Sequence, residues 1–191
     1  MDVFGGFVAG VRRIFSGETL ATIDTAIPNR ARKGTLSLRL KRAGRSTADV
    51  CVVLACLFAI HRRFIPMSPD EFDAFAGGVQ RIRRELDQML QASGQAPVSG
   101  ADLETRLTRV MSPEALVQQD TPVWNGMTVL SLRLKRDPTS SSLYIVLAYR
   151  GGGGMNWFYR IGAVEYFAFA DAVQSVRERI RPLVHPSLQQ R

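Results

Sequence analysis

Leu36-Ser37-Leu38-Arg39-Leu40-Lys41-Arg42 recurs, unchanged, as Leu130-Ser131-Leu132-Arg133-Leu134-Lys135-Arg136. In each copy leucines alternate with polar or cationic residues. Period two marks a half-buried strand, here with a leucine face and a cationic face. The offset is 94 residues, and it also carries residues 71–86 onto residues 165–180. Glu71, Ala74, Phe75, Ala76, Val79, Gln80 and Arg83 then meet Glu165, Ala168, Phe169, Ala170, Val173, Gln174 and Arg177. Phe64 falls on Phe158, and Pro28 on Pro122. Further upstream, a two-residue slip aligns residues 13–20 with residues 109–116. One offset held over a strand and then a helix argues for tandem duplication rather than convergent strand composition. The period exceeds that of solenoid repeats, so the copies are two folding units, residues 1–90 and 102–191. Residues 91–101, rich in Ala, Ser, Gly, Gln and Pro, read as the linker. The two units are expected to form one pseudo-symmetric domain.

Within the first unit the apolar, β-branched run at residues 50–60 reads as the next strand and residues 62–67 as another. In the second unit these are residues 143–150 and 156–161. An earlier strand is expected at residues 19–27 and at 115–123. Ser68-Pro69-Asp70-Glu71 then opens a helix, with Ser at the N-cap, Pro at N1 and Glu at N3. Phe72, Phe75, Ala76, Val79, Ile82, Leu86 and Leu90 form its apolar stripe. Gly77-Gly78 inside it is read as a close helix crossing. The second helix carries Phe169, Ala170, Val173, Val176 and Ile180, and Pro182 is expected to end it. Each unit is therefore β-β-β-β-α, an α+β fold with antiparallel sheets and one helix per unit. A helix covers one face of a sheet. The opposite faces, lined by Arg, Lys, Ser and aromatics, are expected to be open to solvent or a ligand.

The chain has 191 residues and a formal net charge of +8, with 25 Lys and Arg against 17 Asp and Glu. Its only lysines are Lys33, Lys41 and Lys135, so the other cations are arginines. Arginine's planar fork suits phosphate oxygens, which favours a nucleic-acid partner over a merely solubilising charge. The longest apolar run, residues 50–60, falls short of the roughly 20 residues needed to span a bilayer, so no membrane role is expected. Cys51 and Cys56 lie within that run, five apart, and so point to opposite faces of a strand. They read as core residues in a reducing intracellular compartment. No Cys/His cluster has zinc spacing, and no cofactor is expected.

The duplicated β4-α plan over about 180 residues resembles the Whirly fold. Lys33-Gly34-Thr35-Leu36-Ser37-Leu38 resembles the Lys-Gly-Lys-Ala-Ala-Leu-Ser-Val motif of plant Whirly proteins. Ile65-Pro66-Met67-Ser68-Pro69-Asp70-Glu71-Phe72 resembles their Ile-Pro-Ile-Thr-x-x-Glu-Phe helix entry. The second Lys of the first motif is missing here, and the second motif sits in the first unit rather than the second. In its Arg-rich character the chain is similar to the guide-RNA-binding Whirly relatives of kinetoplast mitochondria. That resemblance implies a tetramer, mitochondrial residence and promotion of RNA annealing. Pur-type repeats share the β4-α unit and are near alternatives. Residues 1–16 have some character of a transit segment, although part of them aligns with the second repeat.

Single-strand binders combine a cationic groove with aromatic stacking platforms. The candidate residues are Arg39, Lys41, Arg133 and Lys135 on the repeated strands, and Lys33, which the resemblance adds. Arg62, Arg63, Arg150 and Arg160 lie at strand ends, and Trp157 and Tyr159 share one strand face. Phe158 points the other way and reads as core. A solvated sheet face would explain the alternating cations equally simply, and Trp157 suits a core or oligomer contact as well as a platform. Trp124 reads as a loop anchor, and residues 151–154 as a hairpin tip rather than a phosphate loop. The carboxylates at Asp70, Glu71 and Asp73 serve helix capping, and no catalytic constellation is legible, so the chain is not expected to be an enzyme. The expected partner is single-stranded RNA or DNA, bound by a homo- or hetero-oligomer. The alternative is a structural, protein-binding subunit of a larger ribonucleoprotein or ribosome-assembly complex.

Overall fold

The computed structural model describes residues 17–28, 34–44, 50–58, 61–103, 114–124, 126–151 and 156–184. Strands β1 (Glu18–Ile27), β2 (Gly34–Arg42), β3 (Val50–Phe58) and β4 (His61–Met67) precede helix α1 (Pro69–Ser93). Strands β5 (Val117–Val123), β6 (Thr128–Arg136), β7 (Leu143–Gly151) and β8 (Asn156–Gly162) precede helix α2 (Ala163–Val184). Each set of four strands forms one antiparallel meander, in chain order. The α+β duplication is therefore real, with the strands and helices where the periodicities put them.

Strand pairing locates the slip between the copies. Leu36 pairs with Thr25, and Leu130 with Thr121, so β1 and β5 are related by 96 residues along their length. The two extra residues lie in the β1–β2 connection. Pro122, paired with Val129, occupies the place of Ala26, paired with Thr35. The match of Pro28 with Pro122 is thus a coincidence of sequence, because the connection changes length between those prolines and the repeated strands.

Leu36, Leu38 and Leu40 put their side chains into one continuous core with Leu130, Leu132 and Leu134, and all six are buried. The helices cross between the units to complete it. Helix α1 packs on β5 and β6 of the second sheet, and α2 on β1 and β2 of the first. Each helix thus seals the other unit's leucine face as well as touching its own sheet. Tyr166 Oη donates to the Val79 carbonyl at 3.0 Å, and Gln80 Nε2 to the Ala170 carbonyl at 2.9 Å. Arg177 pairs with Asp73 at 2.7 Å, and Arg83 pairs with Asp171.

Helix α1 begins with a full capping box. Ser68 Oγ accepts from Glu71 N at 3.3 Å, and Glu71 Oε2 accepts from Ser68 N at 2.8 Å. It ends in a Schellman motif around Gly94 (φ 64°), with Gly94 N–H donating to Gln91 O and Gln95 N–H to Leu90 O. The left-handed φ is why glycine stands there. Gly78 makes a close approach to a strand rather than to a helix: a Cβ on it would lie 2.6 Å from Gln119 Cγ of β5. Pro182 does not end α2, which continues to Val184. Proline removes one hydrogen bond in this last turn, while Leu183 still packs against the core.

Helix α1 takes in residues 91–93 of the expected linker, and the described chain runs on to Leu103. Glu165, the counterpart of the capping residue Glu71, uses its carboxylate on the linker. It accepts from Ser99 Oγ at 2.5 Å and from Gly100 N at 2.8 Å. The fit leaves no room for side chains, since a Cβ on Gly162 would lie 2.2 Å from Gly100 N. Beyond this clasp, Leu103 and Val98 join Tyr144, Val146, Ala148 and Phe158 in a second apolar cluster on the outer face of the second sheet.

Candidate nucleic-acid interface

Register sorts the candidate residues onto faces. Arg39 pairs with Val53, and Arg133 with Val146, which pairs in turn with Arg160. Arg39, Lys41, Arg133, Lys135 and Arg160 therefore lie on the outer faces, away from the leucines. So do Arg62, opposite Leu57, and Arg150, opposite Val129.

These faces are less open than the alternating pattern predicts. Lys41 is 9% exposed and Lys135 3%, and the serines between them, Ser37 and Ser131, are fully buried. Burial pushes the Lys135 ammonium below its ordinary pKa; the nearby Arg133 charge adds to this and Glu114 opposes it. Arg39 and Arg133 are half-buried and held identically: each Nε donates to the serine two residues earlier, at 3.4 Å and 3.3 Å. Arg39 also lies 5.9 Å from the centre of the Phe64 ring. The physical reason for the difference is visible in the partners. β3 and β7 set apolar residues (Cys51, Val53 and Ala55; Tyr144, Val146 and Ala148) opposite the cations, and these are buried too. In the second unit Val98 of the linker and Leu103 just beyond it help to cover them. Phe158 belongs to this outer cluster, so it packs, but not in the main core.

Trp157 and Tyr159 are on the opposite face, at the margin of the core. Hairpin register brings Tyr149 against Trp157, and their rings stack at 5.0 Å with planes 4° apart. Trp157 meets Tyr159 at 4.8 Å, and Tyr159 stacks on Phe58 of the first sheet at 3.9 Å. Four half-buried rings thus make a ladder from one sheet to the other. Arg63 lies on this side of β4, opposite Cys56, and its charge lowers the Tyr159 pKa against the larger effects of burial and of Cys56, which raise it. Arg62 and Arg63 are both exposed. Arg150 is exposed and pairs with Asp120 at 3.0 Å, and Arg160 is half-buried.

The structure therefore brings Trp157, Tyr159 and Arg63 together, and separates them from the outer rows of Arg39, Lys41, Arg133 and Lys135. Lys33, residues 152–155 of the glycine-rich turn and residues 1–16 lie outside the described residues. Sequence reasoning missed Phe58 and Tyr149 as members of the ladder. Tyr149 could have been found from the β7–β8 register, whereas Phe58 comes from the other sheet and has no local signal. Trp124 is a loop anchor as expected: its indole N–H donates to the Pro66 carbonyl at 3.0 Å and ties the β5–β6 turn to β4.

Cys51 and Cys56 are free thiols on opposite faces of β3, both buried. Among the described residues no group of three or more His, Cys, Asp or Glu side chains could hold a metal ion, and no helix is long and apolar enough to cross a membrane.

No protein-family model and no curated protein matches the chain. Among solved structures it is similar to the plant transcriptional regulator PBF-2, at 9% sequence identity and a TM-score of 0.40, over 90% of this chain and 87% of that one.

Proposed function

We propose that the chain binds single-stranded nucleic acid, RNA foremost, and speeds its annealing by neutralising backbone charge. The observation that carries this reading is the placing of exposed Arg63 on the same side as the ring ladder of Tyr149, Trp157, Tyr159 and Phe58, with exposed Arg62 next to it on the other face of the strand. Guanidinium groups hold phosphates, and aromatic faces and edges at the sheet margin receive bases whatever their sequence. The net charge of +8 draws a polyanion in from solution. A strand held by its backbone meets less repulsion from its complement and keeps less structure of its own. Kinship with the guide-RNA-binding proteins of kinetoplast mitochondria, tetramer formation and mitochondrial residence belong to this reading and rest on the sequence resemblance alone.

A labelled single-stranded RNA of about 20 nucleotides, titrated at several salt concentrations, tests it: log affinity should fall against log salt by about 0.7 per phosphate contacted. The rate of annealing to the complementary strand should rise with protein. Binding no tighter than micromolar, with a flat salt dependence, would overturn the reading in favour of a structural subunit that contacts proteins.

A further inference from the structure

We infer that the open edge of β1 is a docking site for an extended, basic peptide segment of another protein. Between β1 and α2 lies a cleft of about 460 Å³. Its strand wall is made by four consecutive residues, 23–26. Successive residues of a strand point to opposite faces, so a wall built from consecutive residues runs along the strand's edge. In the first sheet β1 is an edge strand, paired with β2 alone among the described strands. Alternate backbone N–H and C=O groups of such a strand point outward, which is the template for strand addition. The other wall is one face of α2, with Val164, Ala168, Ala172 and Ser175 at helical spacing. Val164 is 47% exposed there.

The second sheet shows what a guarded edge looks like. At the corresponding place Gln119 of β5 lies over Gly78 of α1, and Arg81 donates to Gln119 Oε1 at 3.4 Å. Pro122 further removes a donor from that strand. In β1 the counterparts of Gln119 and Pro122 are Ile23 and Ala26, and Ala172 stands in place of Gly78. The cleft remains between them.

Charge selects the occupant. Asp24 and Asp171 stand at the cleft, both exposed, in a chain that is otherwise strongly basic. Arg83 already pairs with Asp171, and Glu165 at one end is turned to the linker. A second copy pairing through β1 would bring Asp24 towards its own equivalent, which like-charge repulsion disfavours. A strand with small aliphatic side chains toward α2 and arginines on the outer face, toward Asp24, suits both walls.

The test uses the full chain and a fluorescein-labelled decapeptide in which Arg alternates with Val, with a Glu-Val peptide as control. Fluorescence anisotropy should show binding of the first peptide only, and hydrogen exchange should slow at residues 22–26. Ala168→Trp, which fills the cleft from an exposed helix position, and Asp24→Lys should each weaken the peptide by at least about tenfold. Ala168→Trp should leave single-stranded RNA binding unchanged, so this inference and the proposed function can fail separately. Protection elsewhere, equal binding of the Glu-Val peptide, or unchanged affinity in both variants would overturn it. So would slowed exchange at β1 that grows with protein concentration in the absence of peptide, which would identify a second copy as the occupant.

Discussion

Phe75 and Phe169 occupy the same position in the two repeats, and they touch each other: their rings meet edge to face at 6.3 Å, both fully buried. The contact lies where the two helices cross, so each residue supports both units. We predict that Phe75→Ala and Phe169→Ala each cost about 3–5 kcal/mol. The double variant should cost less than the sum, because both substitutions remove the same contact. Denaturant melts of the three variants measure this.

Adjacent glycines in α1 should respond differently to alanine. A Cβ on Gly77 meets nothing within 4 Å, whereas one on Gly78 must displace the Gln119 side chain. Gly77→Ala should therefore stabilise the chain by up to about 1 kcal/mol, through helix propensity and a less flexible unfolded state. Gly78→Ala should gain less. Thermal melts compare the two.

Glu165 secures the linker through Ser99 and Gly100 while sitting in the first turn of α2. Glu165→Ala leaves the buried Gly100 N–H without its acceptor, at a cost of about 1–3 kcal/mol. Glu71→Ala removes one half of the capping box, about 1 kcal/mol, and touches no linker contact seen for Glu165. Hydrogen exchange at Gly100 should rise in the first variant and not in the second.

Binding should depend more on the ladder side than on the outer rows. Arg63→Glu changes an exposed side chain on the ladder side and should weaken RNA binding with little loss of stability. Trp157→Ala should cost about 1–3 kcal/mol of binding for each base it stacks. Arg39→Glu with Arg133→Glu alters half-buried, serine-tethered groups, so its melting temperature should fall along with any loss of affinity. Anisotropy titrations and melts on each variant separate these outcomes.

Alkaline pH should destabilise the fold. Burial raises Cys56 above its ordinary 9.0, and Tyr166 and Tyr159 above 10.0. The folded state then keeps protons that the unfolded chain releases. Their contribution is fully present below pH 9 and declines as pH rises beyond these ordinary values toward the raised ones. Lys135, held below 10.5, acts in the opposite sense between its lowered pKa and 10.5. Urea midpoints against pH should thus fall above pH 9, and Cys56→Ala should flatten the earliest part of that fall.

The strand and helix plan was legible because its signals are local: Leu36-Leu38-Leu40 at period two, the stripe from Phe72 to Leu90, and Ser68 with Glu71 at the cap. Duplication doubled each signal. What sequence could not supply is which neighbour each face meets. Arg39 and Arg133 alternate with leucines in the pattern of a solvated face, yet their strands are flanked by Val53 and Val146, which need cover of their own. Trp157 and Tyr159 share a face by simple alternation, but their stacking on Phe58 depends on how the sheets approach each other. Among the described residues Gln119 guards one sheet edge and Ile23 leaves the other open, a difference that only strand register reveals.

The exchange of helices between sheets has a historical implication. A solitary β4-α unit would leave most of its leucine pleat uncovered, so a single-unit precursor would be expected to pair with a second copy of itself. Fusion of two such copies would make that partnership permanent and release its halves from identity. One half carries aromatic rings, Trp157 and Tyr159, where the other has Arg63 and Ile65, so the pseudo-symmetric chain has a front and a back.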